Sequence, residues 1–267
     1  MDSADQFRGS RKHVLDWVDS GPQAFVAGLN EVLSGAATVN ADRDRWMPEG
    51  YRNVREARLD VLGQEYLPDD VRKTLTDWWL VHKAGANTPN WDLLSTASIS
   101  GRRGLVLVEA KANCAELKVD GKVLADRASD HSRENHDRIR AAIEEARKGL
   151  NAIVPGVQIA IGTHYQLSNR LAFAWKLASL GVPNVLVYLG FTGDLGIVDA
   201  GDPLQSEAHW SEVFMRHAAP VLPPEIFNRP HLCGRASMQI IVRARSVLSH
   251  STLRNPASPQ PAKPIVA

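Results

Sequence analysis

The segment Gly104–Ala112, GLVLVEAKA, constrains the fold more than any other. Leu105–Val108 is an uninterrupted apolar run of the kind that forms a buried strand. The run stops at Glu109-Ala110-Lys111. Burying a carboxylate without a partner costs several kcal/mol, so a strand that ends in an acid and a base needs compensation. Successive strand residues alternate faces, which sets Glu109 and Lys111 on the same side. The pattern acid-x-lysine also occurs at Glu116-Leu117-Lys118 and Asp120-Gly121-Lys122, but those lie in a polar connection where charges are solvated.

Upstream, residues 90–99 form a second candidate strand, and Ser100-Gly101 is a reasonable two-residue turn. That turn sets Asp92 directly opposite Glu109 on an antiparallel hairpin, whereas a four-residue loop over 101–104 would displace it. Two carboxylates so close repel unless a cation lies between them. An oxygen-only donor set favours a hard ion such as Mg²⁺ or Mn²⁺.

Around this hairpin the chain reads as α/β. Residues 11–34 give two helices broken at Gly21-Pro22, and residues 40–68 carry no clear pattern. A helix starts near Asp69 with Val71, Leu75, Trp78 and Trp79 turned inward. Residues 131–150 form an amphipathic helix with Ile139, Ile143, Ala146 and Leu150 on one face. A short strand over 157–162, a helix over 166–181 closed by Gly181 and a strand over 185–191 read as a βαβ unit, which makes those two strands parallel. Beyond residue 192 the signals weaken. Residues 238–248 suit helix or strand, and the proline-rich stretch 255–267 reads as a disordered tail. The expected organisation is an N-terminal helical segment (1–68) packed on an α/β core with a C-terminal extension (69–254), then the tail.

The 267 residues, 44% hydrophobic and 23% charged, suit a globular protein, and the net charge of +1 gives no global field toward nucleic acid or membrane. No apolar run reaches membrane-spanning length, and the N-terminus has no apolar signal-peptide core. With two distant cysteines, Cys114 and Cys233, the expectation is a cytoplasmic protein without disulfides. No phosphate-binding P-loop, G-x-S-x-G or G-x-G-x-x-G occurs, which removes kinases, serine hydrolases and dinucleotide enzymes from consideration.

Asp92, Glu109 and Lys111, with the helix–strand–helix–strand order that follows, resemble the active site of the PD-(D/E)xK nuclease superfamily, the restriction-endonuclease-like fold. The resemblance covers roughly residues 69–191. It implies a mixed sheet with an antiparallel hairpin flanked by helices and a Mg²⁺-dependent nuclease acting on DNA. Asp92 and Glu109 would hold the metal with the Ala110 carbonyl, and Lys111 would position or activate the attacking water. Gln166 matches a glutamine that exonuclease-like branches place on the following helix. Asp77 or Glu65 would match an acid on the preceding helix. The chain departs from the family where Pro89 stands three residues before Asp92, and where Arg170 replaces a tyrosine.

Arg102, Arg103, Arg133, Arg140 and Arg170 are the candidate phosphate contacts. For the helix arginines a solvated face is the simpler reading, because Glu134, Glu144 and Glu145 dilute the charge. His164 reads as a structural histidine, and Trp91 as a wall of the site. Two alternatives stand beside the nuclease: the same fold as a non-catalytic nucleic-acid-binding or assembly module, and a structural Glu109–Lys111 ion pair in an unrelated α/β protein. Homo-oligomerisation is left open.

Overall fold

The computed structural model describes residues 6–197 and 201–247, so the proline-rich 255–267 segment lies outside the described residues. Helices α1 (Gly9–Val18) and α2 (Pro22–Leu33) come first, broken at Gly21-Pro22 as the sequence predicts. Short strands β1 (Trp46–Met47) and β2 (Ala57–Arg58) precede helix α3 (Asp69–Trp79). Strand β3 (Asn90–Trp91) leads into the hairpin β4 (Leu93–Ile99) and β5 (Arg102–Lys111). Helices α4 (Asp130–Asn151) and α5 (Tyr165–Ser179) follow, then β6 (Asn184–Thr192), α6 (Glu207–Ala218), β7 (Pro230–Cys233) and β8 (Ala236–Ser246).

The main sheet has six strands in the order β1-β4-β5-β6-β8-β7. The hairpin is antiparallel, β5–β6 and β6–β8 are parallel, and β7 returns antiparallel at the edge, so the sheet is mixed. Helices cover both faces. Val14, Phe25, Leu29 and Leu33 pack with Val106, Val108, Val185 and Val187 on one side. On the other, Leu75, Trp79, Ile143, Leu171 and Phe214 pack with Leu105, Leu107, Leu186 and Ile240. Coverage on both faces is what an apolar run such as Leu105–Val108 demands. Alternation then carries Glu109 and Lys111 onto the α3–α6 side, beyond Leu105 and Leu107.

The turn is the two-residue one. Ser100 and Gly101 both have positive φ, 49° and 75°, as a type I′ hairpin requires. Leu93 consequently pairs with Val108 and Ile99 with Arg102.

Residues 157–162 are not the strand that the sequence suggests. Val157 and Ile159 are fully buried, but the backbone bonds to loops and a side chain instead of a sheet: Gln158 N donates to Val221 O at 2.8 Å and Ala160 N to Ser168 Oγ at 3.1 Å. The parallel crossover therefore joins β5 to β6 through α4 and α5. Residues 207–218 form a helix that the sequence reading left without assignment, and 236–246 resolve as strand. No described helix is long and apolar enough to cross a membrane.

Candidate active site

The hydrogen-bonded ladder of the hairpin ends at Leu93–Val108, and Asp92 is the next residue outward. There the chain bends, and Asp92 Oδ2 accepts a hydrogen bond from Ala110 N at 2.7 Å. Glu109 is buried at 2% exposure, with both oxygens taken. Lys111 Nζ donates to Oε1, and Arg170 Nε donates to Oε2 at 2.6 Å. Arg170 is itself fixed: Nη1 donates to Asn169 Oδ1 at 2.7 Å, and the guanidinium lies 4.9 Å from the ring centroid of Trp91. Buried Glu109, Lys111 and Arg170 and half-buried Asp92 thus form one cluster where β5 ends. A cavity of about 720 Å³ opens in front of it. Lys111 and Arg170 line that cavity together with Gln166, Asn169, Tyr165 and Glu116, while the two acids stand behind them.

The charges divide unequally. Burial works to raise Glu109, but Arg170 and then Lys111 outweigh it and hold its carboxyl below the ordinary range. Burial works to lower Lys111 and Arg170, yet the adjacent acids keep both above their usual values, so both are cations at neutral pH. Asp92 is the exception: burial and then repulsion from Glu109 push its pKa up to about 7. Tyr188 pairs with Glu109 across β5–β6, and burial followed by that charge raises its hydroxyl well above the usual value. Among the described residues neither the Tyr188 hydroxyl nor Trp91 Nε1 has a hydrogen-bond partner.

The Asp92 shift has a definite sign. A carboxyl that binds its proton more tightly in the folded protein favours folding at low pH, and that advantage is lost as pH rises from near 4 through about 7. In chelator, the stability of the wild type relative to Asp92→Asn should therefore fall across that window, by a few kcal/mol at most. Urea unfolding of both proteins at several pH values measures it. A difference that does not change with pH would show that Asp92 is not a strained acid.

The predicted residues separate into two groups. Asp92, Glu109 and Lys111 converge, and Gln166 lines the same cavity as Lys111. Arg170 lies at the centre of the cluster, bound to Glu109, so its first partner is a carboxylate of this chain. Arg102 and Arg103 stand at the hairpin tip, roughly 30 Å along the strand. There Arg102 donates to Gly181 O at 2.9 Å and Arg103 to Glu65 O. Arg133 donates to Asp126 O, while Arg140 and Arg147 pair with Asp137 and Glu144 one helical turn away, which is the solvated-face arrangement. Asp77 pairs with Lys73 and Lys83 on the surface, and Glu65 is exposed at the far end, so neither joins the cluster. Trp91 is fully buried beneath Arg170. His164 is buried, with Nδ1 2.8 Å from Thr163 Oγ1 and its ring 4.8 Å from that of His217.

Three contributions escaped the sequence reading. For Arg170, expected at a phosphate, the bond to Glu109 is the unforeseen part; its spacing of four from Gln166 on α5 was the available signal, since such residues share a helix face. Glu116 belongs to the dismissed Glu-x-Lys pattern but lines the cavity, and its Oε1 accepts from Asn113 Nδ2 at 3.0 Å. His217 is the third. Burial, then His164, then Lys111 depress it to about 4, so it is neutral near Lys111 at physiological pH.

No family model matches the chain, no curated protein matches it, and no solved structure matches its fold.

Proposed function

We propose that this protein is a metal-dependent nuclease of the restriction-endonuclease-like kind, hydrolysing phosphodiester bonds in DNA. The observation that carries the reading is the meeting of Asp92, Glu109 and Lys111 at the C-terminal end of β5, an inner strand of the mixed sheet, beside a cavity that Gln166 also lines. The donor set suits a hard cation such as Mg²⁺, because Asp92, Glu109 and the Ala110 carbonyl offer only oxygen. Among the described residues no group of three or more His, Cys, Asp or Glu side chains is arranged for a metal ion. An ion held by these few oxygens would have to keep much of its own water and to compete with Lys111 and Arg170 for Glu109. Asp92 supports this: an acid raised to about 7 by burial and a neighbouring carboxylate is one that added positive charge would hold ionised. Bound there, such an ion would supply Lewis acidity to the phosphate and lower the pKa of a water.

The chain's own groups have separable tasks. Lys111, kept protonated by Glu109 and Asp92, stabilises negative charge and orients water; it is no base at neutral pH. Arg170 holds Glu109 in orientation. His217, being neutral, has no proton to deliver to a leaving group. One observation favours a second reading, a closed structural ion cluster: both oxygens of Glu109 are already paired.

Incubation with linear and circular double-stranded DNA separates the two. Cleavage is expected with Mg²⁺ or Mn²⁺, and none in EDTA or with Asp92→Asn. Intact DNA and intact RNA after incubation with wild-type protein and either cation would leave the structural cluster as the surviving reading.

A further inference from the structure

At pH 8, above the value of about 7 to which Asp92 is pushed, the formal charges of the cluster cancel. Asp92 and Glu109 supply two negative charges, and Lys111 and Arg170 supply two positive ones. Glu109, Lys111 and Arg170 are each less than a tenth exposed, so bulk water screens them poorly. Of the other charged groups at the cavity, Lys118 and Asp120 are exposed and offset one another, while half-exposed Glu116 is near enough to Lys111 to help hold it protonated. A divalent cation entering the free protein would leave an excess of positive charge beside side chains that water screens poorly, which is unfavourable unless an anion accompanies it.

The two cations are not equally free to yield. Arg170 is held by Glu109, Asn169 and the Trp91 face, and its guanidinium remains charged at any working pH. Lys111 carries its charge on a flexible four-carbon stem, has the Glu109 carboxylate as its hydrogen-bond partner, and lines the cavity. Lys111 can therefore move from Glu109 onto an arriving phosphate; Arg170 stays.

We infer that the free protein excludes a divalent cation from this site by its own charge balance, that cation and phosphodiester enter together, and that Arg170 is the residue that sets this coupling. The inference rests on the nuclease reading and concerns how the site is loaded. Arg170 acts through Glu109 and is a positioning residue.

The test is Mn²⁺ binding by the full-length protein at pH 8, followed by titration calorimetry. It is run with and without a short double-stranded DNA whose phosphorothioate linkages resist cleavage, the DNA alone serving as blank. Wild-type protein should bind Mn²⁺ at least about tenfold more tightly with the DNA than without it, as expected when an opposing charge relieves an uncompensated one. Arg170→Met should bind Mn²⁺ more tightly than wild type in the absence of DNA and lose most of the enhancement. Arg170→Lys, which keeps the charge, should retain it. Arg170→Gln repeats the test with a polar replacement should the Met variant fold poorly, and circular dichroism reports folding throughout. Equal Mn²⁺ affinity of the wild type with and without DNA would overturn the inference while leaving the nuclease reading intact. So would an Arg170→Met protein indistinguishable from wild type. If wild-type protein binds no Mn²⁺ in either condition, or Asp92→Asn does not weaken binding, the metal-centre reading fails and the inference fails with it.

Discussion

Glu109→Gln is expected to destabilise this protein by roughly 3–5 kcal/mol, because breaking a buried ion pair strands the remaining charge. Here it strands two. Lys111 and Arg170 are 5% and 7% exposed, and both lean on the one carboxylate. Glutamine preserves the shape but removes the charge, and its NH₂ group would face donors on a side where only acceptors are wanted. Asp92 alone cannot replace it, since its Oδ2 is engaged by the Ala110 amide. For a chain of this size the melting temperature should fall by roughly 6–20 °C. The control is to remove the charges together. Glu109→Leu combined with Lys111→Met, Arg170→Met and Asp92→Asn leaves no charge in the cluster and should recover most of the loss. Thermal and urea unfolding of both variants decides the matter. A Glu109→Gln protein within about 1 kcal/mol of wild type would mean that water reaches the cluster and screens it.

Lys111→Met is expected to have a large effect on activity under the nuclease proposal. The substitution keeps most of the apolar stem and removes the ammonium. Glu109 then still has Arg170 on Oε2, so the stability loss should be smaller than for Glu109→Gln. Turnover per folded molecule should nevertheless fall about 10²-fold or more, the scale on which loss of one preorganised electrostatic group is felt. DNA binding should change little. A structural ion pair predicts the opposite pattern, in which cleavage declines only with the folded fraction. Cleavage rate and melting temperature measured on one preparation distinguish the two. A destabilised Lys111→Met protein with undiminished specific activity would remove Lys111 from the chemistry.

The parts of this molecule that could be read in the sequence are those governed by local rules. The hairpin register follows from a two-residue turn and a period of two, and both are visible in Ser100-Gly101 and in the strands beside it. The paired helices at the N-terminus follow from Gly21-Pro22 and their apolar stripes. What failed depended on partners distant in the chain. Residues 157–162 are apolar because Val157 and Ile159 are buried, yet whether such a segment joins a sheet depends on which backbone groups lie beside it. Here those belong to Val221 and to the residues around Lys122 and Ser168. Arg170 lies 61 residues from Glu109, so no local pattern announces their bond. Helix α6 did carry a signal, since Trp210, Phe214 and Ala218 recur every four residues and are fully buried.

The turn at Ser100-Gly101 has a consequence for how this sequence tolerates change. It lies at the opposite end of β5 from Lys111, and the tip is tied down by Arg102 and Arg103 to main-chain carbonyls of Gly181 and Glu65. The hairpin is thus a ruler clamped at its zero mark, with the acids inscribed a fixed number of residues away. Adding one residue within β5 would turn Glu109 and Lys111 into the apolar layer beneath α1 and α2. Adding two would keep the face but carry the acid past Asp92. Side chains along the ruler can be exchanged for others of similar size, but its length in residues cannot drift, so insertions and deletions are confined to the connections outside it.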